Sequence, residues 1–216
     1  MTDQDITIAM TDAERALFEK LLSSATSYLE FGSGGSTILA SRTPTLNRAT
    51  CVESSNEYFN DQVLPDPDVQ KAVESKKLEV MLVDIGPTAD WGFPVDKSSR
   101  KKWVNYAESP FRNDSSYDLV LVDGRFRVAC ALQALFHATP DTIIAFHDYW
   151  NRHQYHVVEQ FFELVERVDN FAIFKAKSGY SKFKARMVYG MYRREPGDHP
   201  LYLKIRRRLS RGAQKD

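Results

Sequence analysis

The sequence predicts an α/β protein whose doubly wound, mostly parallel sheet of six to seven strands carries helices on both faces. Short apolar runs alternate with segments of helical spacing along most of the chain, which is typical of a parallel sheet connected by crossover helices. A glycine cluster at 32–35 separates the first apolar run from the helical segment that follows it. The run at 117–123, YDLVLVD, is rich in Val and Leu, as a parallel strand covered on both faces should be.

Periodicity and turn residues set the predicted boundaries of the elements. Residues 11–24 have apolar side chains at helical spacing, and Thr11 or Asp12 is a suitable N-cap. Pro65 and Pro67 end the third helix. The predicted strands are 27–31, 49–53, 78–85, 117–123, 142–146 and 171–175. The predicted helices are 11–24, 36–41, 57–64, 128–138 and 157–168.

The predicted domain covers residues 1–178, and a basic C-terminal extension covers 179–216. A polar and aromatic insertion at about 88–116 interrupts the domain, and loops of that length are usually functional lids or flexible segments. Its aromatic side chains either line a ligand pocket or pin the insertion to the core. They are Trp91, Phe93, Trp103, Tyr106 and Phe111.

Charge is distributed unevenly along a chain whose formal net charge is zero. Residues 175–216 contain 13 Lys or Arg and three acidic residues, so the remainder is acidic. A neutral whole argues against a dedicated nucleic-acid binder. The basic tail either contacts phosphate or an anionic membrane surface, or is a solvated segment.

Hydropathy and cysteine content predict the cellular compartment. No apolar run approaches the roughly 20 residues that a membrane-spanning helix needs. The N-terminus is acidic and lacks an apolar signal core, so we expect a soluble, cytoplasmic protein. Cys51 and Cys130 both lie in apolar runs, which favours two buried thiols over a disulfide.

Polar residues end five of the predicted strands: Glu30, Glu53, Asp84, Asp123 and the pair His147-Asp148. A capping or turn role explains any one of them, but it explains all five poorly. In doubly wound sheets, ligands bind beyond the carboxyl ends of the strands, near the point where the strand order reverses. The pattern therefore predicts a ligand site on this edge.

The glycine cluster lies between a strand and a helix, where glycine permits a sharp turn and close approach of a ligand. Ser36 can cap the helix that follows. Thr37 stands at the third glycine position of the dinucleotide fingerprint, which argues against a nicotinamide-dependent dehydrogenase. Glu53 follows Gly34 by 19 residues, where a carboxylate can accept hydrogen bonds from ribose hydroxyls.

Four segments resemble the motifs of class I S-adenosylmethionine-dependent methyltransferases, namely YLEFGSGGST, CVESS, LVDIGP and YDLVLVDG. The resemblance covers roughly residues 25–175 and implies a Rossmann-like fold with S-adenosylmethionine as cofactor. It implies that Glu30 lies near the methionine portion, that Glu53 holds the ribose, and that Asp84 approaches the adenine amino group. It places Asp123 at the reactive end of the cofactor. The implied cofactor-binding set is Glu30, Gly32, Ser33, Gly34, Gly35, Ser36, Glu53, Ser54, Asp84 and Asp123.

The predicted catalytic residues are His147 and Asp148, which end the fifth strand and face the expected cofactor site. This stretch, with VDGRFR before it, resembles O-methyltransferases that act on sugars and small molecules. His147 is either a metal-free general base, since imidazole titrates near neutral pH, or a satisfied strand-end histidine.

A metal ion is the alternative at this site. In the metal-dependent branch of the resembled family, Asp123 and Asp148 match two aspartate ligands of a magnesium ion. Tyr149 stands where that branch has an asparagine, and Phe126 stands where it has a lysine base. The first prediction is therefore a site without metal.

The predicted function is O-methylation of a small-molecule or sugar-like acceptor. The alternative is a catalytically inactive methyltransferase-like module that binds S-adenosylmethionine or S-adenosylhomocysteine. Arg125 and Arg127 either bind an anionic acceptor or are surface charges beside a helix. Nucleic-acid methylation ranks last, because no motif for a flipped base follows Asp123. A homo-oligomer is compatible with this reading.

Overall fold

Continuous apolar runs form the central sheet of this chain, which a computed structural model describes over residues 8–113 and 115–199. The sheet has seven strands in the order β3-β2-β1-β6-β7-β9-β8, and β4 and β5 form a separate hairpin. The strands are β1 (Ser27–Phe31), β2 (Arg48–Glu53), β3 (Leu78–Leu82), β4 (Thr88–Ala89), β5 (Phe93–Pro94), β6 (Leu119–Val122), β7 (Ile143–Phe146), β8 (Phe162–Val168) and β9 (Phe171–Ala176).

The first five strands of the sheet run parallel, whereas β9 pairs antiparallel with both β7 and β8. From β1 the chain continues outward to β2 and β3, and it returns to the other side of β1 as β6. The strand order therefore reverses between β1 and β6, and their carboxyl ends border the crevice in which such sheets bind ligands. The predicted fold class is confirmed.

The α-helices are α1 (Asp12–Ser24), α2 (Gly35–Arg42), α3 (Asn56–Tyr58), α4 (Pro67–Glu74), α5 (Val104–Glu108), α6 (Arg127–Phe136) and α7 (Lys182–Tyr192). The predicted N-cap of α1 is confirmed, because Thr11 accepts a hydrogen bond from the Glu14 amide and forms a capping box with it. Pro67 does not end a helix but begins α4 at its first turn, where its missing N–H has no helical partner to lose.

The two faces of the sheet bury separate apolar clusters. Along β6, Val120 and Val122 belong to one cluster, whereas Leu119 and Leu121 belong to the other. This is the period of two that a strand imposes on its side chains. Cys51 and Cys130 are buried free thiols on opposite faces, which confirms the prediction of no disulfide.

The predicted helix over 157–168 is wrong. His153–Gln160 is a 3-10 helix, and Phe162–Val168 is β8, the outermost strand beside β9. The apolar spacing fits a helix, but β8 pairs antiparallel with β9 with a register shift between Leu164 and Glu166. Hydrogen bonds to a neighbouring strand outweigh a spacing that is ambiguous over so short a segment.

The insertion and the start of the predicted extension both contact the domain. Trp103, Tyr106 and Phe111 are buried in a core cluster, whereas Trp91 and Phe93 are exposed. Helix α7 buries four side chains, and its contacts with α6 make it part of the same core. Residues 200–216, including the basic run KIRRRLSR, lie outside the described residues.

Asp198, near the end of the described residues, contacts the start of α6. Its carboxylate accepts hydrogen bonds from the backbone N–H groups of Arg127 (3.1 Å) and Val128 (3.0 Å). These N–H groups lack helical partners, so Asp198 satisfies two of them. None of the helices in the described ranges combines the length and the apolar character that crossing a bilayer requires.

Candidate active site

The crevice between β1 and β6 is formed by two glycines in direct backbone contact. Gly32 has φ = +97°, and a Cβ added to it would lie 2.8 Å from the Cα of Gly124. A Cβ added to Gly124 would lie 2.9 Å from the Gly32 nitrogen. Only glycine at both positions lets the two chain segments cross this closely.

Thr37 closes the turn between β1 and α2. Its hydroxyl accepts a hydrogen bond from the Gly34 amide at 2.9 Å, and its own amide donates to the Gly34 carbonyl at 3.0 Å. The residue that departs from the dinucleotide fingerprint is therefore a structural element of this loop. Thr37 thereby holds residues 32–35, which have small side chains or none, beside the crevice.

Glu30 is fully buried beneath this loop. Its Oε2 accepts hydrogen bonds from the hydroxyls of Tyr28 (3.0 Å) and Ser36 (2.7 Å), while Oε1 has no hydrogen-bond partner among the described residues. Burial raises the pKa of the carboxyl to about 7, although the neighbouring hydroxyl groups of Thr37, Ser36 and Tyr28 oppose the shift. An orphaned buried oxygen is a natural partner for a cationic ligand group.

The raised pKa of Glu30 predicts a pH-dependent stability. Below the ordinary value of 4.5, folded and unfolded states are both protonated, and the contribution is fully present. As the pH rises towards about 7, only the unfolded chain ionises freely, so this part of the free energy of unfolding is lost. The loss should be on the order of 3 kcal/mol.

Glu30→Gln should remove this dependence, because the amide does not titrate. We expect wild type and variant to differ little at pH 5, and the variant to be the more stable at pH 8. Urea denaturation at both values measures the difference, with the exposed Glu57→Gln as the matched control. Equal pH slopes for Glu30→Gln and wild type would contradict the assignment.

Glu53 ends β2 and is saturated by loop donors. Its Oε2 accepts from the Ser33 amide (3.1 Å) and hydroxyl (2.8 Å). Its Oε1 accepts from the amides of Ser54 (2.6 Å) and Ser55 (2.8 Å). The carboxylate thus joins the glycine loop to the end of β2, and the Ser33 and Ser54 hydroxyls are the donors that ligand hydroxyls could replace.

Tyr58, which the sequence did not single out, borders the same loop. A Cβ on Gly34 would lie 3.7 Å from its hydroxyl, and its side chain is partly exposed. Burial is the main reason why the pKa of Tyr58 is raised, and the negative charges of Glu53 and Asp123 raise it further. Because it occurs on a short helix after β2, no periodicity marks it.

Asp84 lies further out on the edge. Its Oδ2 pairs with the Lys102 ammonium at 2.5 Å, and its Oδ1 accepts from the Gly86 amide at 2.8 Å. The side chains of Asp84 and Lys102 are both more than half exposed. The hydrogen bond from Lys102 lowers the pKa of Asp84.

Asp123 and His147 meet at the ends of β6 and β7. Oδ1 of Asp123 lies 3.2 Å from Nδ1 of His147 and 2.9 Å from Nη2 of Arg127. Burial opposes ionisation of Asp123, but the charge of Arg127 and the hydrogen bond with His147 outweigh it and lower the pKa.

The other ring nitrogen of His147 faces Glu14 of α1, whose Oε2 lies 3.5 Å from Nε2. Burial lowers the pKa of His147, but the carboxylates of Asp123, Asp148 and Glu14 outweigh it and raise the pKa. Glu14 comes 133 positions before His147, and its only local signal is that of a helix-capping residue.

Asp148 completes the cluster from the other side. Its Oδ2 lies 2.6 Å from Nη2 of Arg152. One ligand-type atom from each of Asp123, His147 and Asp148 lies within 4.8 Å of the others. The structure therefore brings both predicted catalytic residues to Asp123.

Strained backbone is concentrated at this edge of the molecule. Four residues here occupy the left-handed region, which is unfavourable for residues other than glycine. They are Phe126 (φ = 54°), Asp148 (φ = 55°), Trp91 (φ = 60°) and Asp198 (φ = 53°). Such strain persists where surrounding contacts enforce it, commonly at ligand sites.

Comparisons with known proteins identify the family. The chain resembles a solved methyltransferase-like protein (spo2022) from Silicibacter pomeroyi DSS-3 at 30% identity and a TM-score of 0.75, over 88% of this chain and 98% of that one. The chain belongs to the class I S-adenosylmethionine-dependent methyltransferases. The predicted family is confirmed, and with it the enzyme class and S-adenosylmethionine as the cofactor of this fold.

More distant methyltransferase-fold structures agree in fold alone. Cofactor-bound Rv0187 from MTB matches at 17% identity and a TM-score of 0.54, over 80% of this chain and 84% of that one. A structure assigned as a caffeoyl-CoA O-methyltransferase from Staphylococcus aureus matches at 10% identity and a TM-score of 0.54, over 80% and 86%. No protein-family model and no curated protein matches the chain.

The described residues of this methyltransferase fit its cofactor in shape and charge. Gly32 and Gly124 contribute no side chain at their crossing, Glu30 offers a buried unpaired oxygen, and Glu53 holds exchangeable hydroxyl donors. These three features could hold the sulfonium portion, the ammonium group and the ribose, respectively.

A magnesium ion fits the same site less well. The spacing of Asp123, His147 and Asp148 suits a metal, but each carboxylate already pairs with a guanidinium, that of Arg127 or of Arg152. A divalent cation would have to approach two positive charges that lie within hydrogen-bond distance of its ligands.

Proposed function

We propose that this methyltransferase transfers the methyl group of S-adenosylmethionine to an oxygen atom of a small-molecule or sugar-like acceptor. The observation that carries the proposal is the convergence of Asp123, His147 and Asp148 beside the Gly32–Gly124 crossing. A cluster of two carboxylates and an imidazole can orient a hydroxyl group and manage its proton.

The cofactor is held, in this proposal, along the edge from β2 to β6. Glu53 accepts hydrogen bonds from the ribose hydroxyls, displacing the hydroxyls of Ser33 and Ser54. The Oε1 atom of Glu30 lies under the loop where the methionine portion is expected, and it receives the ammonium charge. Asp84 reaches the adenine amino group by releasing Lys102, and both side chains are exposed enough to move.

The acceptor hydroxyl is oriented by Asp123 in this proposal. Among the described residues, the polar contacts of that carboxylate with Arg127 and His147 both reach Oδ1, which leaves Oδ2 for the acceptor. Asp123 takes up the hydroxyl proton at Oδ2, His147 holds the carboxylate in place through Oδ1, and Asp148 lies on the opposite side of the cluster. Methyl transfer is an in-line displacement, so fixing the oxygen opposite the departing sulfur supplies much of the rate.

We propose that the reaction proceeds without a bound metal ion, because Arg127 and Arg152 already neutralise the two carboxylates. The competing candidate is an inactive module that binds S-adenosylmethionine or S-adenosylhomocysteine. It is favoured by the enclosure of His147 between two carboxylates, which limits its access to an acceptor.

Turnover against an acceptor panel separates the two candidates. The panel should contain phenols, sugars, hydroxy acids and, as a matched set, the corresponding amines. We expect S-adenosylhomocysteine to form with hydroxyl acceptors only, as measured by mass spectrometry of both products. Tight cofactor binding with no product from any acceptor would favour the inactive module, and transfer to amines instead would overturn the assignment to oxygen.

A further inference from the structure

Arg125 and Arg127, two residues apart at the end of β6, have different environments. Arg127 is almost completely buried, and its guanidinium donates to the backbone carbonyls of Gly124 (3.0 Å), His147 (2.7 Å) and Asp123 (2.8 Å). It also pairs with the Asp123 carboxylate. All of these partners are internal, so Arg127 joins the ends of β6 and β7 and is not available to a ligand.

Arg125 has a cationic head without such partners. Its Nε is buried and has no hydrogen-bond partner in the described ranges, and no ion pair of its guanidinium is found there. Both oxygens of the nearby acid Asp198 accept hydrogen bonds from backbone amides at the start of α6. Burial lowers the pKa of Arg125, and the positive charge of Arg127 lowers it further. A bound anion would offset both the burial of the guanidinium and its repulsion by Arg127.

The hairpin formed by β4 and β5 lies between Arg125 and the end of β2. The Arg125 guanidinium stacks over the ring of Phe93, 4.2 Å from its centre. A Cβ on Gly92 would lie 3.4 Å from the Ser54 hydroxyl and 3.8 Å from Cγ of Arg125. The hairpin therefore bridges the residue after Glu53 and the residue after Gly124.

The tip of this hairpin carries an exposed aromatic side chain. Trp91 is 86% exposed and lies in the left-handed region at φ = 60°. The indole lies in solvent next to Gly92. It takes no part in the core of the described domain. It can cover a ligand that binds to Arg125 from the solvent side.

We propose that Arg125 is the specificity residue for an acceptor that carries an anionic group, a carboxylate or a phosphate monoester, and that the β4–β5 hairpin covers this acceptor. The planar guanidinium can bind either anion with two parallel hydrogen bonds. Asp123, two residues before Arg125 in the chain, then contacts the hydroxyl group of the same acceptor. This assignment rests on the proposed methyl transfer, and it narrows the acceptor class to hydroxylated acids or phosphorylated hydroxyl compounds.

Matched pairs of probes test the proposal. The first pair is 3-hydroxybenzoate and the uncharged 3-hydroxybenzamide, and the second is glycerol 3-phosphate and glycerol. Each is titrated calorimetrically into the full-length protein, with and without saturating S-adenosylhomocysteine. We expect the charged member of one pair to bind more tightly, and that pair identifies the anion as carboxylate or phosphate.

Arg125→Gln should weaken binding of that charged probe by roughly 10- to 100-fold, the usual loss for a charge-assisted contact. Arg112→Gln removes one exposed charge from the insertion that carries the hairpin and should leave the affinity unchanged. Arg125→Lys keeps the charge without the planar fork, and we expect intermediate affinity together with an unaltered melting temperature.

Two results would overturn the proposal: equal binding of charged and uncharged probes, or equal affinity in wild type and Arg125→Gln. Failure of the protein to bind S-adenosylhomocysteine, with anion binding still dependent on Arg125, would count against methyl transfer and in favour of the anion site.

Discussion

Glu53→Ala is expected to weaken S-adenosylmethionine binding roughly 30- to 800-fold, on the order of 2–4 kcal/mol. The two ribose hydroxyls lose the charged group that accepts their hydrogen bonds. The loop loses the hydrogen bonds that Ser33, Ser54 and Ser55 donate to the same carboxylate. Calorimetry with S-adenosylmethionine and with S-adenosylhomocysteine measures the effect, and the loss should be similar for both because they share the ribose.

The dual role of Glu53 requires variants that separate ligand contact from loop order. Ser33→Ala removes the hydroxyl that competes with the ribose but keeps the amide that donates to Glu53. We expect its affinity to be unchanged or slightly higher, with a small fall in melting temperature. Glu57→Ala, an exposed acid on α3, should affect neither quantity. Unchanged affinity in a folded Glu53→Ala protein would place the ribose elsewhere.

Elements buried on both sides were predictable from sequence. Strand β1 occupies Ser27–Phe31 as predicted, and β6 and β7 lie within their predicted runs, because an uninterrupted apolar segment has few structures that bury it. Helix α1 was predicted from its apolar spacing and its N-cap residue. In these segments local propensity and tertiary environment favour the same structure.

The outer elements were harder, because their structure depends on partners distant in sequence. Strand β8 exposes Leu164 and Val165, so its residues show no clean alternation, and its identity is set by pairing with β9. Helix α7 is basic and leaves Phe183, Met187 and Met191 exposed, which obscures its buried face. Its packing on α6 is a tertiary contact that the charge pattern does not predict.

The candidate site divides in the same way. The strand ends and the glycine turn follow from motifs, and the structure brings Glu30, Glu53 and Asp123 to one edge of the sheet. Their partners do not follow from motifs, since the contact of Glu14 with His147 joins the first helix to the fifth strand of the sheet. The contrast between Arg125 and Arg127 likewise depends on which carbonyls the fold presents to each guanidinium.

His147→Ala is expected to lower turnover by roughly 10²- to 10⁴-fold, the usual contribution of general acid–base catalysis. The imidazole links Asp123 to Glu14, so its removal also leaves two carboxylates without their shared partner inside the fold. A part of the loss could therefore be structural, and melting temperature and S-adenosylhomocysteine affinity must be measured beside turnover. Preserved affinity with lost turnover assigns the effect to chemistry.

His153→Ala is the matched control, because His153 is exposed on the 3-10 helix, and its turnover should equal that of the wild type. Glu14→Gln keeps the shape of the second partner but removes its charge, so it reports how far the contact across α1 supports His147. A folded His147→Ala protein with wild-type turnover would leave this histidine as a satisfied strand-end residue.

Chelator decides between the metal-free reaction and its magnesium alternative in the same assay. Without a metal, EDTA should leave turnover unchanged, because Arg127 and Arg152 supply the positive charge that the two carboxylates require. With magnesium at Asp123 and Asp148, EDTA should abolish turnover, added magnesium should restore it, and either Asp→Asn variant should lose the ion. In crystals grown with magnesium and cofactor, oxygens of both carboxylates would then lie about 2.0–2.1 Å from one ion. Retention of the two arginine pairs in those crystals would establish the metal-free site.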